Sequence, residues 1–201
     1  MPVAKRRMRI LVACEFSGTV RDAFLRRGHD AWSCDLIPNH SERHIRGDVT
    51  PLLREQWDLV IAHPPCTYLT VAANKWHTNN PQREVMRQHA FAFFLKCYNA
   101  NSPRVCVENP IGVVSTLFDK PDQVIQPWQF GHRERKGTCL WLLGLPKLVS
   151  TKIVEPEEPI SVSKSGKKSY SMSWLPASSV RHHLRSITFQ GIADAMAEQW
   201  G

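Results

Sequence analysis

The sequence predicts an α/β fold in which helices flank a mostly parallel central sheet. Two short apolar runs, LVIA at residues 59–62 and RVCV at 104–107, are rich in β-branched side chains, as are strands buried on both faces of a sheet. Segments with helical spacing of apolar residues lie between the predicted strands. The chain has 201 residues, enough to bury a good core, and a single domain over residues 1–201 is predicted.

The first predicted elements form a strand, a turn, a helix and a second strand that ends in an acid. They are strands at residues 8–13 and 31–34 and a helix at 19–27 between them. Ser17 is the expected N-cap of this helix and Gly28 its stop. The span is that of a mononucleotide-binding unit. The Asp35 carboxylate can accept hydrogen bonds from both hydroxyls of a ribose. Alternatively, Asp35 can begin the turn toward Pro38, and both interpretations remain open.

Further along the chain, helical and strand-like patterns alternate with polar loops. The predicted elements are a short helical piece at 51–56, helices at 82–98 and 187–200, and a strand at 138–143. The helix at 82–98 is expected to bury a stripe of residues at helical spacing, namely Val85, Met86, His89, Ala90, Phe93, Phe94 and Cys97. The segment from 149 to 185, rich in Ser and Lys, is expected to be a surface loop or arm.

The central strand at 59–62 runs into the stiff loop His63-Pro64-Pro65-Cys66. Neither strand nor helix continues through two prolines, so the loop leaves the carboxyl end of the strand, where open α/β sheets bind ligands. Cys66 is predicted to be a nucleophile rather than a packing residue, because the other five cysteines lie in apolar runs. Glu108 ends a second predicted strand and is expected to face the same crevice.

Composition limits the class of protein. Lysine and arginine number 26 against 18 acids, which gives a net charge of +8 and favours a polyanionic partner such as nucleic acid, although a basic charge can also serve solubility alone. The six cysteines lack paired spacing, which argues against disulfides and structural zinc, and no metal is expected. No apolar run is long enough for a membrane span, and no cleavable leader is apparent. A cytoplasmic protein that does not bind membranes is expected.

The Pro-Pro-Cys loop, the later Glu-Asn-Pro at 108–110 and the Arg-x-Arg at 133–135, in this order, resemble the DNA (cytosine-5)-methyltransferases. The resemblance implies a Rossmann-like fold, S-adenosylmethionine as cofactor and methylation of cytosine at carbon 5 in DNA. It implies that Cys66 adds to carbon 6, that Glu108 holds ring N3 and the exocyclic amine, and that Arg135 or Arg133 steadies the ring or a phosphate. Phe189-Gln190-Gly191 looks like the last motif of the family.

The resemblance and the basic clusters also imply two sets of binding residues. The cofactor-binding residues would be Glu15, Phe16, Ser17, Gly18, Asp35, Leu36, Asp48 and Pro64. The nucleic-acid-binding residues would be Trp76, Lys136, Lys164, Lys167, Lys168, Arg181 and Arg185. The DNA would be a duplex with its cytosine flipped out, or single-stranded. The polar loop with Trp76 is either the segment that fills the vacancy in the duplex or an ordinary solvated connection.

The sequence departs from the family at two places. Its first turn is Glu15-Phe16-Ser17-Gly18 rather than Phe-x-Gly-x-Gly. A short basic insertion at about 144–185 stands where the family has a large target-recognition domain, which predicts short or relaxed specificity. Compact forms of this kind resemble those of phages and prophages, so a phage-encoded enzyme in the cytoplasm of a bacterial host is expected.

Three other functions remain open from the sequence. An exocyclic-amine methyltransferase, acting on N4 of cytosine or N6 of adenine, would use an Asp/Asn/Ser-Pro-Pro-aromatic loop, where this chain has His63 and Cys66. A non-catalytic nucleic-acid-binding protein would keep the fold for its basic surface. The same covalent chemistry on RNA or a free nucleotide is a third possibility.

Overall fold

The computed structural model describes residues 6–71, 80–163, 166, 168–171 and 184–201. Its strands are β1 (Arg9–Ala13), β2 (Asp30–Asp35), β3 (His44–Arg46), β4 (Leu59–Ala62), β5 (Val105–Pro110), β6 (Gln123–Ile125), β7 (Thr138–Leu143), β8 (Ser161–Val162) and β9 (Lys168–Ser169). Its helices are α1 (Thr19–Arg26), α2 (Pro81–Tyr98), α3 (Val114–Leu117) and α4 (Gln190–Trp200). Short 3₁₀ turns lie at Leu52–Arg54 and Pro127–Gln129.

Seven strands form one sheet in the order β3-β2-β1-β4-β5-β7-β6. All pairings from β3 to β5 are parallel, and β7 runs antiparallel to both of its neighbours. The predicted fold class, a mostly parallel central sheet with flanking helices, is confirmed. The strand order reverses between β1 and β4, so a crevice opens at the carboxyl ends of these two strands.

The two faces of the sheet bury separate apolar cores because side chains alternate along each strand. Ile10 and Val12 of β1 pack with α1 and α4 on one face, whereas Leu11 and Ala13 pack with α2 on the other. The strand at the centre, β4, is fully buried along its length. The carboxyl end of β4 is therefore held rigidly by both layers.

Helix α1 begins as predicted, but Ser17 is not its N-cap. Gly18 holds that position with a φ of 77°, and the Glu15 carboxylate reaches under the helix instead. Its two oxygens accept the N–H groups of Val20 at 2.6 Å and Arg21 at 3.3 Å. A carboxylate at this end satisfies orphan donors and the positive end of the helix dipole.

The predicted stripe on α2 is wrong in its first half. Phe94 and Cys97 are buried, but Val85 and Met86 are 47% and 46% exposed, and His89 is also exposed. Helical spacing alone therefore overstated the contact of the first turns of α2 with the core. Asn80 caps this helix by accepting the Arg83 N–H at 3.2 Å.

Strand β5 continues through Glu108, which the sequence placed after its end. The antiparallel partner β7 extends the pairing, with Glu108 opposite Leu140 and Pro110 opposite Thr138. Strands β3 and β6 were not predicted; each has three residues, too few for a periodic pattern.

Two features occupy the described part of the segment from 144 to 185. Residues 152–157 form an extended strap along residues 128–135, with the Lys152, Val154 and Glu157 N–H groups donating to the Gln129, Trp128 and Arg133 carbonyls. Strands β8 and β9 form a small antiparallel hairpin. Among the described residues, no helix is both long and apolar enough to span a membrane.

Candidate active site

The loop that carries Cys66 is fixed to the strands on either side. The His63 N–H donates to the Ala13 carbonyl at 2.9 Å, which joins the loop to the end of β1. The Asn109 side-chain amide donates to the Pro64 carbonyl at 3.2 Å, which joins it to β5. Two prolines remove most of the remaining backbone freedom. Cys66 is therefore presented by a rigid loop at the point where the strand order reverses.

The chain after Cys66 is joined to the segment that follows β5. Leu69 and Thr70 donate their N–H groups to the Cys66 carbonyl at 2.9 and 3.1 Å, and Val113 donates to the Leu69 carbonyl at 2.8 Å. Gly112 lies so close to this loop that a Cβ there would stand 2.0 Å from the Leu69 oxygen. The loop that carries the predicted catalytic thiol and the segment that follows the strand of the predicted carboxylate form one connected unit.

The Cys66 thiol is half-buried, and its surroundings act on its pKa in both directions. Burial raises the pKa of the thiol, and Glu108 adds to this; Lys136 and Arg185 lower it, and burial prevails. The thiol is thus mostly protonated in the free protein. Lys136 and Arg185 nevertheless favour the ionised thiol, because a nearby positive charge stabilises a thiolate.

Glu108 forms a buried ion pair with His63, a residue that the family resemblance does not use. His63 Nδ1 lies 3.1 Å from Glu108 Oε2, and the side chains are 11% and 13% exposed. The contact is close but lacks the alignment of a hydrogen bond, because Oε2 has no hydrogen-bond partner. The interaction between the two side chains is therefore mainly electrostatic.

The pKa values of His63 and Glu108 are shifted in opposite directions. Burial alone would lower the pKa of His63, but Glu108 and then Glu15 attract the imidazolium, and the pKa is raised. Burial alone would raise the pKa of Glu108, but His63 and Lys136 outweigh it, and the pKa is lowered. Both shifts favour the state in which His63 is protonated and Glu108 is ionised.

The two predicted arginines do not face the thiol in the way that Lys136 does. Arg135 donates from its backbone and guanidinium to Glu157 at 3.2 Å and lies over the Tyr170 ring. Arg133 donates to the Glu155 carbonyl at 3.3 Å. Both side chains are exposed and hold the strap, whereas Lys136 is half-buried and acts on Cys66, His63 and Glu108.

The predicted cofactor residues follow the carboxyl ends of four strands, β1 to β4. Asp35 ends β2 and accepts the Ile37 N–H at 2.9 Å. Leu36 next to it is 71% exposed, an apolar surface on which a ring can pack. Asp48 is fully exposed, and its pKa is lowered by the hydrogen bond from Thr50. Glu15 is committed to the α1 N-terminus, so its carboxylate is not open to a ligand.

Several predicted nucleic-acid contacts cannot be placed. Trp76, Lys164, Lys167 and Arg181 lie outside the described residues. Lys168 is exposed on β9, and Arg185 is exposed near the start of α4. The predicted last motif packs on the segment before β7: the Gly191 N–H donates to His132 Nε2 at 3.0 Å, and Lys136 Nζ lies 6.0 Å from the Phe189 ring.

Sequence reasoning assigned no chemistry to His63 and gave Lys136 only a place on the nucleic-acid surface. His63 was noted only as a departure from the amine methyltransferase motif. A signal for it was present, because the first residue of a stiff loop at the end of a central strand faces the same crevice as the thiol. For Lys136 no such signal exists, since the sequence does not tell which of three clustered cations turns inward.

No protein-family model matches the chain, and no curated protein matches it. Solved structures that it resembles include a putative DNA modification methyltransferase encoded within an E. coli prophage, at 13% identity and a TM-score of 0.42, covering 66% of this chain and 45% of that one. S. pombe Dnmt2 methyltransferase is 16% identical with a TM-score of 0.44, covering 71% and 51%. Entamoeba histolytica methyltransferase EhMeth is 14% identical with a TM-score of 0.45, covering 75% and 58%.

These three structures are methyltransferases, the class of enzyme that the sequence motifs resemble. The chain spans about half the length of the solved structures that it matches. The substrate has to be inferred from the site.

Proposed function

We propose that this protein methylates cytosine at carbon 5 in DNA, with S-adenosylmethionine as methyl donor and Cys66 as covalent nucleophile. The observation that carries the proposal is a single rigid unit at the switch point of the sheet. It holds the Cys66 loop, Glu108 and Asn109 together through the bond from Asn109 to the Pro64 carbonyl and through the contacts around Gly112.

A thiol and a carboxylate in one crevice suit this reaction. Carbon 5 of cytosine is a poor nucleophile, and addition of a thiolate to carbon 6 converts the ring into an enamine that reacts there. The Cys66 thiol carries a raised pKa from burial, so it needs help to ionise. Lys136 and Arg185 lower the pKa, and both favour the thiolate.

Glu108 binds the ring at its Watson–Crick edge in this proposal. An ionised carboxylate accepts a hydrogen bond from the exocyclic amine. A protonated carboxyl group donates a hydrogen bond to N3, and this donation draws electrons away from carbon 6. Lys136 is the cation that faces the thiol and the carboxylate together. It takes the part in charge stabilisation that the family resemblance gave to Arg135 or Arg133.

The residues beside the crevice fit S-adenosylmethionine. Asp35, at the end of β2, suits the ribose hydroxyls, and the exposed Leu36 suits the face of the adenine ring. Phe16, Ser17 and Gly18 in the turn after β1 lie where the methionine end would bind, and Asp48 and Pro64 complete the set. The cofactor supplies a methyl group on a sulfonium sulfur; the protein supplies the nucleophile and the proton donors.

A polynucleotide substrate agrees with the charge of +8 and with the cations that face Cys66. The target atoms lie inside the base stack, so a base in a duplex has to be flipped out to reach the thiol. Phosphate contacts from Lys136, Lys168 and Arg185 fix position without reading sequence. The proposed enzyme therefore recognises a short DNA sequence or has relaxed sequence specificity.

The proposal is tested by methyl transfer from tritiated S-adenosylmethionine to duplex DNA, single-stranded DNA and RNA, followed by nucleoside analysis of the product. Tritiated 5-methylcytosine in DNA is expected, and it is expected to vanish in Cys66→Ser. Cys97→Ala, which removes a buried thiol of α2, is the matched control and is expected to keep activity. N4-methylcytosine or N6-methyladenine, formed equally by Cys66→Ser, would refute the covalent route.

A further inference from the structure

His63 is held in a position for which packing alone gives no reason. Its backbone is fixed to β1 by the bond to the Ala13 carbonyl, and Nδ1 lies 3.1 Å from Glu108 Oε2. Its other ring nitrogen, Nε2, is buried without a hydrogen-bond partner among the described residues. A buried imidazole with one unsatisfied nitrogen is unfavourable for stability, so the contact that it does make deserves a functional explanation.

The groups around the imidazole come from every element that packs on it. Glu108 of β5 and Glu15 of the turn after β1 are acidic, Lys136 before β7 is basic, and Cys66 lies on the same loop. The two carboxylates raise the pKa of the imidazole, and a protonated imidazole lowers the pKa of Glu108, so the two groups favour each other's charged form.

With His63 protonated and Glu108 ionised, Glu108 cannot supply the proton that the proposed reaction needs. An ionised Glu108 accepts a hydrogen bond from the exocyclic amine but has no proton to give to ring N3. His63 Nδ1 lies 3.1 Å from the carboxylate that needs this proton. In free enzymes such contacts are often poorly aligned and tighten once substrate is bound.

We propose, on the basis of the proposed function, that His63 supplies through Glu108 the proton that ring N3 takes up when Cys66 adds to the cytosine. Cys66 attacks as the thiolate, after its proton has been lost to solvent. The Sγ–C6 bond forms, the C5=C6 π electrons become a C4=C5 bond, and the C4=N3 π electrons move to N3. Glu108 takes the Nδ1 proton of His63, which becomes neutral, and passes a proton to N3. After carbon 5 has taken up the methyl group and lost its own proton to water, the C6–Sγ bond breaks and the N3 proton returns by the same path, so His63 is restored in each cycle.

His63 acts through Glu108 and is thus a positioning residue for the proton rather than a group that touches the base. Histidine suits the part because its pKa lies near neutral pH and is easily moved by neighbours. Glu15 is less suited to the part, because its carboxylate is committed to the α1 N-terminus.

The test uses the full chain, duplex DNA and S-adenosylmethionine, and measures the single-turnover rate of methyl transfer between pH 5.5 and 8. The informative variant is His63→Asn, whose amide keeps a donor near the Nδ1 position but cannot titrate. His63→Gln is the second variant, in case the first is poorly folded. His89→Asn replaces an exposed histidine of α2 and is the matched control. Cofactor and duplex affinities are measured for all four proteins.

The wild-type rate is expected to rise with pH, because more thiolate forms, until His63 begins to lose its proton. Since the pKa of His63 is raised, the rise continues past the ordinary value of about 6.5 and then levels off. In His63→Asn, Glu108 has to carry the proton itself, so the rate is already level across this range. At neutral pH it is expected to be about 100-fold lower, with unchanged affinities, and His89→Asn is expected to match the wild type.

Three results would overturn the inference. One is a His63→Asn profile that rises with pH as the wild type does, and another is a loss of activity matched by a loss of cofactor or duplex binding. The third comes from NMR titration of the free protein: the pKa of His63 is expected to fall in Glu108→Gln, and an unchanged value would show that no proton is shared. If the wild type transfers no methyl group at all, the proposed function itself fails and this inference with it.

Discussion

At the scale of single residues, Lys136 is, with Arg185, one of two cations that favour the Cys66 thiolate. It is half-buried and lowers the pKa of Cys66, whereas Arg133 and Arg135 are exposed and bonded to the strap. A buried charge acts over several ångströms with little screening, and an exposed one is screened by solvent. Chemistry at Cys66 is therefore expected to depend on Lys136 more than on either arginine.

Lys136→Met is predicted to raise the pKa of the Cys66 thiol, because it removes a positive charge that favours the thiolate. Alkylation of Cys66 by iodoacetamide, followed by mass spectrometry across pH, measures this directly. The half-maximal rate is expected to move to higher pH in Lys136→Met and to stay unchanged in Arg133→Met. Equal shifts in the two variants would mean that overall charge, and not this contact, sets the pKa.

At the scale of elements, the Cys66 loop and the segment after β5 act as one unit because Gly112 lets them touch. A Cβ at Gly112 would meet the Leu69 carbonyl oxygen at 2.0 Å, so Gly112→Ala is predicted to displace the Cys66 loop. Displacement of a reacting group by about 1 Å lowers rates by about 100-fold. Gly47→Ala is the control, because a Cβ there meets no atom within 4 Å.

The measurement for Gly112→Ala is the rate of methyl transfer, with near-ultraviolet circular dichroism as a check on the sheet. A slow enzyme with an intact fold is expected. A Gly112→Ala variant with the wild-type rate would show that the contact between the two loops does not position the thiol.

The elements that the sequence predicted well are those with a strong local pattern. Strand β4, its proline loop and helix α1 follow from apolar runs and from residues that restrict the backbone. The extension of β5 through Glu108 depends on pairing with β7, which is a tertiary contact that no local pattern encodes. The exposed start of α2 was missed for the same kind of reason, since apolar spacing does not say whether a partner surface is present.

At the scale of the whole molecule, the sheet order decides which predicted residues meet. Because the order reverses between β1 and β4, the Cys66 loop lies beside the turn after β1 and next to the end of β5. Cys66 and Glu108 could be predicted to share a crevice, since both follow parallel strands. The pairing of Glu108 with His63 could not, because it depends on side-chain directions at the strand ends.

The folded chain also shows where part of the net charge of +8 is located. Lys136 and Arg185 act on Cys66, so part of the basic charge surrounds the proposed reaction centre. The sequence predicted a short insertion at about 144–185 in place of a large recognition domain. In the described part of this segment, the chain forms the strap and the β8–β9 hairpin. The prediction of a single domain with little sequence recognition remains a prediction.

The most direct test of covalent catalysis by Cys66 is trapping with duplex DNA that contains 5-fluorocytosine, in the presence of S-adenosylmethionine. Fluorine at carbon 5 cannot leave as a proton does, so the enzyme is expected to remain bonded to the base. A protein–DNA adduct stable to denaturant, formed by the wild type and absent in Cys66→Ala, is the predicted result. Methyl transfer to DNA without any adduct, at the same rate in Cys66→Ala, would contradict it.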